Sequence, residues 1–298
     1  MRGLKDVPQP IPYQGSKRQL APEILRYFPD KMQRLVEPFT GSAAISIAVA
    51  SRKRARSFWL NDAHGPLVDL WRAILERPTE LADKYEALWH EQLGREREFF
   101  DEVRSRFNKN HSPEDFLYLL ARCVKAAIRY NASGEFNNTP DNRRKGARPN
   151  EMRQRIECAS SLFAEKATLT SLDYREVLDR CKPKDLVYMD PPYQGVCGNR
   201  DARYLPSICH SEFCEALARL NSRGILYAVS YDGRTGDKVY GEPMPESLEL
   251  RHLELKAGRS TQATLLGRDD MTYEGFYLSP ALVSVLDVAP TISQLALW

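Results

Sequence analysis

Short apolar runs and helical patterns alternate near the start of this sequence, and that alternation limits the possible fold more than any other feature. Residues 34–39 and 57–60 are strand-like and end at turns, and residues 42–50 and 66–75 have helical patterns. A strand–helix–strand–helix order is typical of an α/β unit with a parallel sheet. Because ligands of such sheets bind beyond the carboxyl ends of the strands, we expect functional residues in the turns that follow them.

A long helical stretch interrupts this pattern. From about residue 76 to Tyr130 the chain is predicted to contain helices only. The clearest helix is at residues 113–130, where apolar residues recur at helical spacing. Residues 131–150 are rich in Asn, Gly, Pro and Arg and have no obvious element, which is unusual in a compact domain unless the segment is functional. A helix predicted at residues 151–166 leads back to the α/β pattern.

The second half of the chain repeats the strand and helix signals of the first. Strands are predicted at residues 167–170, 185–189, 225–230, 248–255 and 274–278, the last two as a hairpin, with a helix at residues 210–222. The sequence therefore predicts an α/β domain of residues 1–75 and 160–298, interrupted by an inserted, mostly helical domain of residues 76–159.

Positive charge is concentrated in two segments, although the whole chain carries only +3. Residues 1–60 hold 11 Lys/Arg against 4 Asp/Glu, and residues 122–155 hold 9 against 3. Two basic segments in an otherwise acidic chain indicate either one surface that binds a polyanion or two separate solvated faces. Hydrophobic residues make up 42% of the 298 residues, which excludes disorder and a fibrous repeat as descriptions of the whole chain.

The six cysteines have no C-x-x-C spacing and are expected to be free thiols in a reducing cytoplasm. A zinc site formed by Cys197, Cys209, His210 and Cys214 is an alternative, but its spacings fit no usual pattern, and we expect no metal. Residues 1–12 are polar and proline-rich, which predicts no signal peptide, and no apolar run is long enough to span a bilayer. The sequence therefore indicates a cytoplasmic protein without membrane contact.

The most informative motif is Asp190-Pro191-Pro192-Tyr193, which directly follows the predicted strand Asp185–Met189. Consecutive prolines have no N–H group and fix the backbone, so the Asp190 carboxylate and the Pro191 carbonyl can be held as two adjacent acceptors. Two such acceptors suit a flat exocyclic amino group with two N–H donors, and the ring of Tyr193 can stack on a base. Alternatively, the prolines only end the strand and Tyr193 packs against the core.

Three other motifs stand where a cofactor could bind. Residues 36–42 (VEPFTGS) place a glycine turn between a strand and a helix N-terminus, where a ligand can approach the backbone closely. Residues 12–17 (PYQGSK) supply an aromatic ring, a glycine turn and a lysine. Asn61-Asp62 follows the second strand, where an acid commonly binds a ribose hydroxyl. Each motif alone is also consistent with an ordinary turn, a solvated lysine or a helix cap.

Taken together and in this order, the motifs resemble the DNA adenine N6-methyltransferases of the alpha group, the class that includes the Dam methylases. The resemblance covers nearly the whole chain and includes residues 129–137 (RYNASGEFN), which are similar to the family's entry into its DNA-reading hairpin. Residues 171–174 (SLDY) resemble its adenine-pocket motif, and residues 230–232 (SYD) stand where the family ends its next strand. The resemblance implies a Rossmann-like, S-adenosylmethionine-dependent methyltransferase sheet, with the insertion as its target-recognition domain.

The resemblance also implies roles for individual residues. Asp190 and Pro191 would accept from N6 of a flipped-out adenine, while Pro192 fixes the backbone and Tyr193 stacks on the base. Asp62 would bind the ribose of S-adenosylmethionine. The set implied for the cofactor pocket is Tyr13, Lys17, Glu37, Phe39, Gly41, Asp62, Asp173, Tyr174 and Asp190, with Asp173 and Tyr174 near the adenine of the cofactor.

Contacts to double-stranded DNA are implied in the insertion and in a loop after the Asp-Pro-Pro-Tyr motif. Arginine commonly reads guanine and asparagine reads adenine, whereas other basic side chains hold phosphates. We predict that residues 195–207 form a mobile lid that orders on DNA, with Tyr204 among its contacts. The DNA-binding candidates are Arg129, Asn131, Arg143, Arg144, Lys145, Arg148, Arg200 and Arg203.

The sequence departs from the family pattern at three places. Gly15-Ser16 stands where a Gly-Gly pair is common, and residues 41–43 (GSA) keep one glycine of a glycine-rich turn. Because serine and alanine are small, we expect the cofactor pocket to be preserved. Residues 139–149 do not match the recognition hairpin expected of a GATC enzyme, so the target sequence stays open.

The expected activity is therefore sequence-specific methylation of adenine N6 in double-stranded DNA by a monomer. The setting is a restriction-modification system with a separate endonuclease, a phage, or an orphan enzyme. Two alternatives stay open: the same chemistry on RNA adenine, cytosine N4 or a protein amide, and a DNA-binding module without activity. Intact Lys17, Asp190 and Tyr193 argue against the inactive module, and residues 129–137 favour DNA adenine.

Overall fold

Eight strands form the sheet of the computed structural model, which describes residues 7–192, 208–236, 238–259 and 271–288. The strands are β1 (Met32–Glu37), β2 (Ala55–Asn61), β3 (Ala167–Thr170), β4 (Asp185–Met189), β5 (Leu226–Thr235), β6 (Lys238–Tyr240), β7 (Arg251–Arg259) and β8 (Met271–Leu278).

Ten α-helices lie in the same described ranges, and none of them is long and apolar enough to cross a membrane. They are α1 (Ala21–Ile24), α2 (Ala44–Ser51), α3 (Gly65–Glu76), α4 (Pro78–Glu91), α5 (Glu96–Asn110), α6 (Pro113–Arg122), α7 (Pro149–Phe163), α8 (Tyr174–Asp179), α9 (His210–Ser222) and α10 (Pro280–Val288). Short 3-10 turns occupy Leu25–Tyr27, Val124–Ala126 and Glu246–Leu248.

The strand order is β3-β2-β1-β4-β5-β8-β7, with β6 paired to β5, and the first five strands of this order are parallel. Val36 of β1 lies opposite Trp59 of β2 on one side and opposite Val187 of β4 on the other. The chain moves outward from β1 through β2 to β3 and then returns to β4, so the strand order reverses between β1 and β4. This arrangement confirms the predicted α/β, Rossmann-like fold, and sheets of this kind bind ligands beside such a reversal.

The central strands are covered on both faces, which explains their continuous apolar sequence. Every residue of β4 is buried, including Asp185 at its start. Arg34 of β1 donates to both oxygens of Asp185, at 2.9 and 2.6 Å. This two-bond ion pair satisfies the buried carboxylate and fixes β4 beside β1, the two strands that end at the reversal point.

An antiparallel section completes the sheet. β8 pairs with β5 on one side and with β7 on the other, which confirms the predicted late hairpin. The predicted end of the preceding strand at Ser230 is wrong, because β5 continues to Thr235 through a bulge between Ser230 and Gly233. Asp-Gly is a common turn signal, but here Asp232 (φ 49°) and Gly233 (φ 158°) form the bulge.

The helical stretch is more broken than its apolar spacing predicts. The predicted helix at residues 113–130 is wrong beyond Arg122, where α6 ends and Cys123 becomes extended (φ −76°, ψ 158°). Lys125 then adopts a left-handed conformation (φ 58°), and Cys123 forms an antiparallel bridge with Pro140. The chain leaves the helix to pair with the polar segment, a long-range contact that helical spacing cannot indicate.

That polar segment, residues 131–150, has no regular element up to residue 148, as predicted, and α7 begins at Pro149, two residues before the predicted start. It is nevertheless packed onto the helices by one aromatic side chain. The ring centroid of Phe136 lies 5.9 Å from Phe107 of α5 and 6.2 Å from Phe116 of α6, both in edge-to-face geometry. The buried Phe136 therefore anchors a segment that is otherwise too polar to contribute a core.

One buried cluster runs from the sheet into the helical stretch. It includes Leu35 of β1, Ile74 of α3, Tyr85 of α4 and Phe116 of α6. Helix α7 crosses the predicted boundary between residues 159 and 160 without a break. The domain boundaries themselves stay a prediction.

Candidate active site

Three charged side chains meet at the reversal point of the sheet. Asp190 directly follows β4, Lys17 comes from the loop before α1, and Glu274 lies on β8. The Nζ of Lys17 is 2.8 Å from Asp190 Oδ1 and 3.4 Å from Glu274 Oε1, and it donates to the Gly15 carbonyl at 3.4 Å. The motifs predict Lys17 and Asp190 as site residues but not Glu274. The sequence signal that could have indicated Glu274 is an acidic residue within a late strand that is otherwise largely apolar.

Burial and charge act in opposite directions on Lys17, whose side chain is 9% exposed. Burial disfavours the charged ammonium, but the Asp190 and Glu274 carboxylates outweigh it and raise the pKa of Lys17. Lys17 is therefore a fixed cation between two carboxylates. Its shortest contact with Asp190 is to Oδ1, on a side chain that is 22% exposed.

Glu37, the last residue of β1, is a buried carboxyl group beside this cluster. It is 3% exposed, and within the described residues its Oε2 has no hydrogen-bond partner. Burial raises the pKa of Glu37 to about 8, although Ser46 in the first turn of α2 lowers it, and the Asp190 charge raises it further. A buried polar atom without a partner is costly unless a ligand supplies a donor, so Glu37 is a candidate ligand-binding group.

The glycine turn after β1 is closed by the N-terminal motif. Gly41 has φ 49°, and a Cβ at this position would lie 3.2 Å from Cε1 of Tyr13. The next residue, Ser42, has its Oγ 3.0 Å from Ser16 Oγ. The ring of Tyr13 thus covers a position that suits only glycine, and the two motifs form one wall of the site.

Asp62 holds the same turn from the end of β2. Its Oδ2 accepts from the Gly41 N–H at 2.9 Å, and its Oδ1 accepts from the His64 N–H at 3.0 Å. Burial raises the pKa of Asp62, while these two backbone bonds lower it. The carboxylate predicted to bind a ribose therefore has a structural role as well, and each oxygen retains capacity for a second donor.

His64 connects this turn to the helical stretch and is a residue that the motifs do not predict. Its Nδ1 accepts from the Leu67 N–H at 3.2 Å, which caps α3. Its Nε2 lies 2.5 Å from the Oη of Tyr130. The turn that carries Asp62 is thus joined to residues 129–137, a relation with no signal in the local sequence.

Phe39 and Tyr174, two residues predicted for the cofactor pocket, lie side by side. The centroids of Phe39 and Tyr174 lie 5.3 Å apart. Asp173 caps α8 by accepting from the Arg175 N–H at 2.9 Å, and the Arg175 guanidinium also donates to its carboxylate, which lowers the pKa of Asp173. Phe39 and Tyr174 are therefore brought together, whereas the Asp173 carboxylate is engaged by Arg175.

Part of the predicted catalytic motif lies beyond the described structure. Pro191 and Pro192 continue the chain from Asp190, and Pro191 is buried. Tyr193 and the predicted lid at residues 195–207 lie outside the described residues, as do Arg200, Arg203 and Tyr204. The roles given to them stay predictions.

Two of the DNA-binding candidates, Arg129 and Asn131, flank Tyr130 in the chain. The Oδ1 of Asn131 accepts from the backbone N–H groups of Ser133 and Glu135, at 3.0 and 2.9 Å. Its Nδ2 donates to the Glu135 carboxylate at 2.9 Å. In this structure the Asn131 side chain shapes the turn at residues 131–135, a role that the sequence does not predict.

The other candidates among the described residues lie on a second turn, residues 141–148, termed here the basic turn; they are Arg143, Arg144, Lys145 and Arg148. The buried Gln92 of α4's C-terminal cap donates from Nε2 to the Lys145 carbonyl at 3.0 Å. The side chains of Arg143 and Arg144 are 86% and 77% exposed, with Asp141 3.3 and 3.6 Å away. The helices thus fix the backbone of the basic turn and leave its guanidinium groups in solvent, as phosphate binding requires.

Within the described residues, no group of three or more His, Cys, Asp and Glu side chains could hold a metal ion. The zinc alternative includes Cys197, which lies outside those residues. His210 Nε2 is 3.5 Å from Cys214 Sγ, but Cys209 Sγ contacts the Oγ of Ser211 at 3.2 Å instead. The described members of that set do not converge on one point.

The residues at the reversal point fit the cofactor that the sequence implies. S-adenosylmethionine has a flat adenine, a ribose, an ammonium group and a cationic sulfur. The Phe39–Tyr174 pair offers flat apolar surfaces, and the Gly41 turn permits close approach to the backbone. The partnerless oxygen of Glu37 and the surplus of carboxylates over ammonium groups suit a positively charged ligand.

Comparison with known proteins adds independent evidence. A family model described as D12 class N6 adenine-specific DNA methyltransferase matches residues 13–248. The chain is 25% identical over 263 residues to the modification methylase StsI of Streptococcus sanguinis, covering 84% of this chain and 40% of that protein. It is 28% identical to the Type II methyltransferase M1.LlaDCHI of Lactococcus lactis subsp. cremoris, covering 60% of this chain and 63% of that protein. It is 29% identical to the retron Ec67 DNA adenine methylase of Escherichia coli, covering 62% and 63%. The chain thus spans less than two thirds of the length of each of these relatives.

Proposed function

The chain belongs to the D12 class of N6 adenine-specific DNA methyltransferases, and from this membership we propose that it transfers a methyl group from S-adenosylmethionine to adenine N6 at a specific sequence in double-stranded DNA. The observation that carries the proposal is the contact of 2.8 Å between Lys17 Nζ and Asp190 Oδ1 at the end of β4. It holds the carboxylate at the reversal point of the sheet, the place where folds of this kind bind their ligands.

The proposed chemistry depends on making a weak nucleophile react. The lone pair of adenine N6 is delocalised into the purine ring, so the amino group attacks poorly. Asp190 Oδ2 and the Pro191 carbonyl accept its two N–H bonds and hold the nitrogen in a geometry that turns the lone pair out of the ring. When bound, S-adenosylmethionine supplies an electrophilic methyl group. The rate gain comes mainly from positioning the two reactants, which in well-oriented systems is worth roughly 7–11 kcal/mol.

The residues that converge around the glycine turn are proposed to form the cofactor pocket. Tyr13, Gly41 and Asp62 shape the turn, and Glu37 accepts a donor from the ligand. The further pocket residues are Lys17, Phe39, Asp173, Tyr174 and Asp190. The two carboxylates beside Lys17 compensate its charge, so that a cationic ligand is not repelled.

Adenine N6 cannot be reached inside the base stack, so the target base is proposed to flip out of the duplex and stack on Tyr193. The basic turn is proposed to hold phosphates, and Arg129 to contact a base or a phosphate. Arg200 and Arg203 belong to the predicted lid over the flipped base. We place the enzyme in the cytoplasm as a monomer, in a restriction-modification system beside a separate endonuclease, in a mobile element, or as an orphan.

Modification-sensitive long-read sequencing tests this function directly. The chain is expressed in a host that lacks DNA methylation, beside its Asp190→Ala variant. We expect methylated adenine at one short recurring motif with the wild-type chain and none with the variant. Unmodified adenine from a soluble wild-type chain that binds S-adenosylmethionine would overturn the proposal and favour RNA or a protein amide as substrate.

A further inference from the structure

We propose that Glu274 is a positioning residue for the reaction: it shares the Lys17 ammonium with Asp190 and balances its charge, which keeps the Asp190 carboxylate a strong acceptor for adenine N6–H. This inference rests on the proposed function. Asp190 lies in a recognisable motif, whereas Glu274 is 84 positions further along the chain and belongs to none.

The sheet fixes Glu274 more firmly than a surface acid. β8 lies between β5 and β7, and Glu274 is paired with Gly233 on one side and Leu255 on the other. A Cβ on Gly233 would come within 3.0 Å of the Glu274 Cα, so the bulge in β5 brings the two backbones unusually close. The Glu274 carboxylate is therefore held beside Lys17 by a strand that is paired on both sides.

The contacts of Lys17 show how a second carboxylate directs an ammonium group. An ammonium is a compact charge with three donors on a flexible stem, and beside a single carboxylate nothing prevents it from bridging both oxygens. Here Glu274 Oε1 and the Gly15 carbonyl oxygen each lie 3.4 Å from Nζ, the first as an ion pair and the second as a hydrogen-bond acceptor. The ammonium therefore lies among oxygens of three residues, of which Asp190 Oδ1 is the nearest at 2.8 Å.

Charge balance has a second effect on Asp190. A carboxylate that has a cation to itself is a weaker hydrogen-bond acceptor for the substrate amino group, because the cation already compensates its negative charge. With Glu274 only 10% exposed, solvent screens its interaction with Lys17 weakly. Sharing Lys17 between two carboxylates therefore preserves the acceptor strength of Asp190 toward the substrate.

Steady-state kinetics of Glu274→Gln provide the first test, with Glu254→Gln as the matched control. Glu254 lies on the neighbouring β7 and is paired with Arg234 at 2.6 and 2.9 Å, away from Lys17. For Glu274→Gln we expect kcat to fall about tenfold, a coupling typical of charged residues in contact, with unchanged KM for DNA and for S-adenosylmethionine. The control is expected to keep the wild-type kcat.

A charge-balanced double variant provides the second test. Lys17→Met leaves Asp190 and Glu274 facing each other without a cation, whereas Lys17→Met with Glu274→Gln removes that repulsion. We expect the double variant to turn over faster than Lys17→Met alone and to unfold at a higher urea concentration. If Lys17→Met does not fold, recovery of a folded protein in the double variant supports the inference, and no recovery overturns it.

The two proposals fail in different ways. A folded wild-type chain that methylates no adenine overturns the proposed function. A wild-type chain that is active beside an equally active Glu274→Gln variant, or losses that simply add in the double variant, overturns the role of Glu274 alone.

Discussion

The imidazole of His64 is hydrogen-bonded to the phenol of Tyr130, with Nε2 and Oη 2.5 Å apart. Because Nδ1 accepts from the Leu67 N–H, the proton of the neutral ring lies on Nε2, which donates to Tyr130. The turn that positions Asp62 is thereby connected to the segment that carries Arg129 and Asn131. A short path of hydrogen bonds joins the proposed cofactor pocket to the proposed DNA-reading segment.

Replacing Tyr130 with Phe is expected to weaken DNA binding more than cofactor binding. The substitution leaves the buried Nε2–H of His64 without its acceptor, which typically costs about 1–3 kcal/mol, and it releases the segment beside Arg129. DNA affinity by fluorescence anisotropy and cofactor affinity by calorimetry measure the two effects. Tyr227→Phe is the matched control, since it removes a buried phenol that donates to Asn221 at 2.9 Å, away from both sites. Equal DNA affinity in the two variants would contradict the connection.

His64 is also expected to make the fold sensitive to acid. Burial lowers its pKa from 6.5 to about 4, so between these values the unfolded chain binds a proton that the folded chain does not. His64 therefore does not change the free energy of unfolding above pH 6.5. As the pH falls toward 4, His64 lowers the free energy of unfolding by up to about 1.4 kcal/mol per pH unit. Urea unfolding from pH 4 to 7 measures the trend, and His64→Asn, which can still cap α3, should flatten it. Parallel curves for the two proteins would mean that His64 binds its proton at the same pH in the folded and the unfolded chain.

Glu37 is expected to act on stability in the opposite direction. Its pKa is raised from 4.5 to about 8, so between these values the folded chain keeps a proton that the unfolded chain releases. Relative to Glu37→Gln, the wild type should lose stability by up to about 1.4 kcal/mol per unit as the pH rises through this window. Unfolding from pH 5 to 8 tests this, with Glu176→Gln, an exposed acid of α8 paired with Arg180, as control. A difference in the free energy of unfolding between wild type and Glu37→Gln that does not change with pH would show that Glu37 is ionised in the fold.

Substituting Gly41 with Ala is expected to destabilise the chain and impair the cofactor pocket. The new Cβ meets Cε1 of Tyr13 at 3.2 Å, and φ 49° is strained for alanine. Gly94→Ala is the matched control, because Gly94 lies between α4 and α5 and has φ 84° but nothing within 4 Å of an added Cβ. We expect both to lose about 1–2 kcal/mol from backbone strain and only Gly41→Ala to lose affinity for S-adenosylmethionine. Unaltered cofactor affinity in Gly41→Ala would place the cofactor elsewhere.

Changing Arg143 and Arg144 together to Ala is expected to weaken DNA binding without affecting the cofactor. Their guanidinium groups are exposed, so few packing contacts are lost. If both neutralise phosphates, the slope of log affinity against log salt should become less steep by about two. Arg180→Ala, which removes an exposed cation at the C-terminal cap of α8, serves as the control. Equal losses of DNA and cofactor affinity would show that the basic turn serves the fold instead.

The parts of the site that could be predicted from sequence are those encoded within a few residues. Asp190 and Asp62 each stand directly after a strand, Gly41 lies in the turn that follows β1, and parallel strands bring their carboxyl ends to one edge of a sheet. Strand and helix signals with turn residues between them are sufficient to indicate that arrangement. The α/β order and the late hairpin were predictable for the same reason.

The errors arose where distant segments override a local pattern. The apolar spacing after Arg122 continues to favour a helix, yet Cys123 pairs with Pro140 and the helix ends. Asp232-Gly233 has the composition of a turn, but pairing of β8 across the bulge carries β5 onward to Thr235.

The sequence by itself determined the class of fold, the order of the motifs and the carboxylate, lysine and glycine residues that line the site. Only the tertiary structure decided which groups act on one another: Glu274 on Lys17, His64 on Tyr130, and Gln92 on the basic turn. The physical reason is that propensity and periodicity act over a few neighbouring residues. Charge pairing and the satisfaction of buried polar groups depend on distance in space, which is set once the strands and helices have packed.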